Sequence, residues 1–113
     1  MDPRIQKAID LIGEDPTANM SLRALSRQVA MSYSNFSHSF RREVGMSPGR
    51  YMRAVRYEAA SQLLEARSVK ETASLLHISN TSHFIRQFRI FTGKYPSEVH
   101  RKAVGIISQK STI

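Results

Sequence analysis

The chain contains no cysteine, which excludes disulfides and thiolate metal sites and suits a reducing cytoplasm. Long hydrophobic runs are missing as well. No charge-free apolar stretch approaches the roughly 18 to 20 residues that a membrane span needs, and the first residues hold no apolar signal core. The five glycines form no phosphate-cradling loop. The four histidines, His38, His77, His83 and His100, show no H-E-x-x-H spacing and no neighbouring cysteines or clustered carboxylates. A metal site, a cofactor, an enzymatic activity and a membrane partner are therefore not expected, and a cytoplasmic location is.

Acidic residues are also scarce. Nine Asp and Glu stand against seventeen Lys and Arg, for a net charge of +8 and an isoelectric point near 10.5. Such a surface draws polyanions. Residues 1–50 hold seven basic and five acidic side chains, and residues 51–103 hold nine and four. Twelve of the seventeen bases are arginine, whose planar fork suits phosphates and guanine edges. At 113 residues the chain has room for one compact domain or two very small units.

Two small units is what an internal repeat indicates. Sliding the chain by 48 residues places Phe36, Phe40, Arg41, Gly45 and Pro48 on Phe84, Phe88, Arg89, Gly93 and Pro96, with Ser34 on Ser82 and Arg53 on Arg101. Between the copies, Ser47–Ala66 is the longest segment that reads as one helix, capped by Ser47 with Pro48 in its first turn. Met52, Val55, Ala59 and Leu63 predict its buried stripe, and Arg50, Arg53 and Tyr57 its wet side.

In chain order, Asp2 and Pro3 start a helix whose stripe of Ile5, Ala8, Ile9 and Ile12 stops at Gly13. A loop over residues 14–20 leads to the N-cap Ser21 and a short helix with Leu22, Leu25 and Val29 inward. Met31 and Ser32 interrupt it, and a second helix runs to Val44, so the pair reads as a helix-turn-helix. Gly45 is placed for a left-handed cap, with Met46 as the apolar part of a Schellman motif. In the second copy Ser68 and Glu71 predict a capping box, and Val69, Ala73 and Leu76 a buried face. The offset there is 47, so the turn over His77–Asn80 is one residue longer than its partner. A helix with Phe84, Phe88 and Phe91 inward ends at Gly93, and a last helix from Pro96 closes at about Lys102.

The expected organisation is thus all-α: a first helix-turn-helix subdomain over 1–46, a linker helix over 47–67, a second helix-turn-helix subdomain over 68–103 and a tail over 104–113. The second helix of such a unit enters the major groove. At about 100° per residue from Phe36, the side chains of Ser34, Ser37, His38 and Arg41 point away from the core. From Phe84, Ser82, Arg86 and Arg89 do the same, flanked by Thr81 and His83. Small hydrogen-bonding groups come first and arginines later, an order that suits base edges and then phosphates. The methionines Met20, Met31, Met46 and Met52 read as packing residues.

These residues carry a family resemblance. Phe40–Arg41 before Gly45, the Ser47–Pro48 start, Ala59 with Leu63–Leu64, Ser68 with Thr72–Ala73, and the run from Ser79 to Arg89 resemble the DNA-binding domain of the AraC family of bacterial transcription regulators. The resemblance covers about residues 5–103. It implies two helix-turn-helix units joined by a long central helix, with Ser34, Ser37, His38, Thr81, Ser82, His83 and Arg86 placed to read bases. Two departures stand out: His77–Ile78 where the family usually has Gly-Phe, and Tyr95–Pro96 where it has Ser-Pro. The function implied is a sequence-specific regulator on double-stranded DNA with both reading helices in successive major grooves, which recur about every 34 Å. RNA polymerase is a further candidate partner, and no small-molecule ligand is expected in this segment. The rival readings are a non-specific architectural nucleic-acid binder and a basic protein-interaction module.

Overall fold

The computed structural model describes the backbone of residues 1–111 and the side chains of residues 1–103. The described chain is helical without strands: α1 (Pro3–Glu14), α2 (Leu22–Gln28), α3 (Tyr33–Val44), α4 (Pro48–Leu63), α5 (Val69–Leu75), α6 (Thr81–Thr92) and α7 (Pro96–Ser111). The last helix, expected to close at about Lys102, continues to Ser111, so the expected tail from Val104 is helical in its backbone as far as that residue; its side chains lie outside those described. The chain divides into two compact units within α4, Met1–Val55 and Arg56–Ile113. The segment 47–67 is therefore shared between the two cores.

In the first unit α1 begins where Asp2 caps it, its carboxylate accepting the Arg4 backbone N–H at 2.9 Å. The Arg4 side chain bonds the same carboxylate, which holds the Asp2 pKa below its ordinary value. Gly13 does not stop α1, which continues through Glu14. The core is Ile5, Ala8, Ile12, Leu25, Val29, Met31, Phe36 and Phe40, with Met20, Tyr51, Met52 and Val55 packed against it. The Phe40 ring meets Tyr51 edge-on at 5.5 Å.

The second unit is built around Tyr57, Ala60, Leu64, Ala73, Leu76, Phe84 and Phe88. Tyr57 corrects the sequence expectation. Instead of facing solvent it is 4% exposed, stacked on Phe91 at 5.5 Å and within 6.5 Å of Phe84 and Phe88. A helix serving two cores in turn need not keep one stripe, and the aromatic packs where three phenylalanines already converge. Two links of long sequence separation complete this unit. Arg56 Nη2 donates to the Leu76 carbonyl at the end of α5, and His100 Nδ1 donates to the Leu64 carbonyl at 3.0 Å. The helix expected as far as Ala66 ends at Leu63, beyond which Glu65 and Ala66 bond three residues back.

The helix ends follow local chemistry. Ser21, Ser32, Ser68 and Asn80 are N-caps, and Ser68 with Glu71 forms the predicted capping box. Gly45 and Gly93 are left-handed, at φ 91° and 74°. Each N–H bonds the carbonyl four residues back, Arg41 and Arg89 respectively, which is the αL cap rather than the Schellman motif expected at Gly45. The Schellman pattern lies instead inside the two helix-turn-helix turns. Ala30 N–H bonds Arg27 and Met31 N–H bonds Ser26, and His77 and Ile78 repeat this with Ser74 and Ala73. Four residues separate α2 from α3 and five separate α5 from α6, the predicted difference of one.

Candidate nucleic-acid interface

The second helix of each helix-turn-helix, α3 or α6, has twelve residues and is fixed by the same two devices. An N-cap side chain anchors the start: Ser32 Oγ accepts from Asn35 N–H at 3.2 Å, and Asn80 Oδ1 from His83 N–H at 3.0 Å. Two phenylalanines one turn apart, Phe36 with Phe40 and Phe84 with Phe88, are fully buried and fix the rotation about the helix axis. The opposite face is then exposed by geometry. Ser34, His38 and Arg41 are exposed on α3, and Thr81, Ser82, His83, Arg86 and Arg89 on α6. Ser37 is half-buried, because its position lies beside Phe36 rather than opposite it; the repeat sets Ile85 there in the second unit, packed against the core.

The charge on these faces is positive. No Asp or Glu occurs in α6. The one acid of α3, Glu43, turns its carboxylate to the Asp2 backbone N–H at 3.1 and 3.3 Å. Neutral hydrogen-bonding groups at the helix start and guanidinium groups further along are what a groove lined by base edges and flanked by phosphates requires.

Three features of these faces lie beyond what residue spacing signals. Tyr33 opens α3 and is exposed, with the Arg23 guanidinium 4.6 Å from its ring centroid. Counted from Phe36 it falls near the core direction, yet the first helical turn has no preceding turn beside it and stays open to solvent. Ile90 is 58% exposed, and Arg89 is not a free side chain. Its guanidinium lies 4.2 Å from the Tyr95 ring centroid and Nη1 donates to the Gly93 carbonyl at 3.4 Å. Sequence spacing places Arg89 on the outward face but carries no sign that Tyr95 folds back onto it.

Among the described residues, no helix is long and apolar enough to cross a membrane, and no three His, Cys, Asp or Glu side chains are grouped to hold a metal ion. The model of a helix-turn-helix domain family matches residues 25–102. A helix-turn-helix-type transcriptional regulator of Haemophilus influenzae is 31% identical over 107 residues, or 93% of this chain. The chain spans 36% of that relative's length. The fold is similar to that of a transcriptional regulator with an AraC-type DNA-binding domain from Chromobacterium violaceum (TM-score 0.82, 21% identity, 89% of this chain and 92% of that one). It is also similar to the DNA-binding domain of the transcriptional factor AdpA, solved in complex with a target DNA (TM-score 0.77, 22% identity, 87% and 90%). With two helix-turn-helix units of matching construction, a family model over most of its length and these relatives, the chain belongs to the AraC family of transcription regulators and corresponds to its DNA-binding domain.

Proposed function

We propose that this chain binds double-stranded DNA in a sequence-specific manner as the reading domain of a transcription regulator, with α3 and α6 each entering a major groove. The observation that carries this reading is the repeated construction. In both units two buried phenylalanines hold a capped helix whose other face exposes hydroxyl, imidazole and guanidinium groups and no free carboxylate. AdpA, of the same fold, has been captured on a target DNA. Ser34, Ser37, His38 and Arg41 from α3, and Thr81, Ser82, His83, Arg86 and Arg89 from α6, are the proposed contacts.

The outward residues differ between the helices except at Ser34 and Ser82 and at Arg41 and Arg89. One chain therefore reads two unlike half-sites in successive grooves, about 10 base pairs apart, with no palindrome required. Selection from random duplex DNA at two salt concentrations tests this. Recovery of a bipartite asymmetric motif is expected. Equal affinity for scrambled duplexes would instead identify an architectural binder, and no retained DNA would point to a protein partner for the basic face.

A further inference from the structure

We infer that His77 and Lys70 form a contact for a DNA backbone phosphate beside the turn of the second unit, an inference that rests on the DNA-binding reading above. A groove of about 350 Å³ is lined there by Lys70, Ala73, Ser74, His77, Ile78, Ser79 and Thr81. Its polar lining consists of one ammonium, one imidazole and three hydroxyls, with no carboxylate. Among the described residues none of these five side chains is engaged in a hydrogen bond or ion pair, and all five residues are exposed. Donors gathered around a concave space, without an acid to neutralise them, fit an anion with several acceptor oxygens. Other grooves of this unit differ: Glu65 and Glu98 line one beside Lys94 and Lys102, and a third, with Arg86 and Arg89, lies on the outward face of α6 itself. Glu71 lines the adjoining groove with Lys70 and Ser74, but its carboxylate accepts the Ser68 N–H in the capping box.

The first unit shows what is particular to this groove. There Ala30 stands at the place of His77, and Arg23 stands at the place of Lys70 with its guanidinium on the Tyr33 ring. That cation has an aromatic partner within its own unit, whereas Lys70 is open to a ligand. The backbone makes the same comparison useful. Ala30 and His77 share the left-handed conformation, at φ 59° and 61°, so the turn itself imposes it and the imidazole is not needed to hold it. Glycine would adopt this conformation with less strain. The His77 side chain is explained by what it faces: the groove, and in the complex the phosphate of the strand that passes the turn while α6 lies in the groove of the duplex.

Stability and affinity then move in opposite directions at one position. His77→Gly, His77→Asn and Lys70→Gln are to be compared with the unaltered chain by thermal melting and by titration against a duplex selected from random DNA and its single-base variants, each at several salt concentrations. His77→Gly is expected to raise the melting temperature yet weaken binding about three- to tenfold on every duplex alike, because a phosphate contact carries no base information. Asparagine tolerates the left-handed backbone and keeps a donor, so His77→Asn should restore most of the affinity. Lys70→Gln should weaken all duplexes and lower the salt slope by about 0.9, one phosphate neutralised fewer. Unchanged affinity in His77→Gly, or a loss confined to one base step, overturns the inference. If the unaltered chain selects no DNA at all, the DNA-binding reading fails first, and the two failures are distinct.

Discussion

Arg89 rests its guanidinium on the ring of Tyr95, 4.2 Å from the centroid, and so links the last turn of α6 to the residue before α7. In the first unit the repeat sets Ser47 at the place of Tyr95, and a hydroxymethyl group offers Arg41 no ring face on which to rest. The two arginines therefore differ in the freedom they lose on reaching a phosphate. An arginine already held in place has less rotamer entropy to surrender on binding.

From this we expect Tyr95→Ala to weaken DNA binding two- to fivefold while costing about 0.5 to 1 kcal/mol of stability, the range of an exposed cation–π contact. Tyr95→Phe should match the unaltered chain in both respects. Isothermal titration and thermal melts of the three proteins decide the matter. Unchanged affinity in the alanine variant would mean that the stacked arginine takes no part in binding.

Arg86 and His38 occupy equivalent positions on the two reading helices but differ in chemistry. A guanidinium can grip guanine O6 and N7 with two parallel bonds, so Arg86→Ala should cost about 1 to 3 kcal/mol and relax preference at one base step. A single imidazole cannot make that bidentate contact, and His38→Ala should cost less. Titration against single-base variants of a selected site separates the outcomes. An equal loss on every variant would make Arg86 a phosphate clamp.

Ala30→Gly should stabilise the first unit by a fraction of a kcal/mol to about 1, because relief of the left-handed strain outweighs the extra entropy of glycine in the unfolded chain. For a unit of this size that corresponds to a rise of roughly 2 to 8 °C. Ala30→Val, with a branched side chain at positive φ, should have the opposite sign. A lower melting temperature for the glycine variant would contradict the geometry found at this turn.

Tyr57→Ala removes the ring on which Phe84, Phe88 and Phe91 converge, and a loss of about 3 to 5 kcal/mol is expected. That is most of the stability of a unit this small. Arg53→Ala, at an exposed position of the same helix, should stay within about 0.5 kcal/mol. Chemical denaturation followed by helical circular dichroism reads both.

The features legible in the sequence are those decided within a few residues. A serine captures an N–H two or three positions ahead, a glycine relieves positive φ at a helix end, and paired phenylalanines one turn apart define an inward face; these local rules place the caps at Ser21 and Ser68, the ends at Gly45 and Gly93, and the exposed sides of α3 and α6. The internal repeat adds the number of units and the one-residue difference between their turns. Tertiary structure alone decided the rest. Tyr57 is buried because three phenylalanines from a helix more than twenty residues away come to it, and the Leu76 and Leu64 carbonyls find Arg56 and His100 at separations of 20 and 36 residues. Ala30 is left-handed because the turn between two packed helices needs that reversal, although alanine itself gives no such signal. Periodicity reports which side of a helix is apolar, but which neighbour covers that side, and which exposed cation another side chain has already engaged, is settled only when the helices pack.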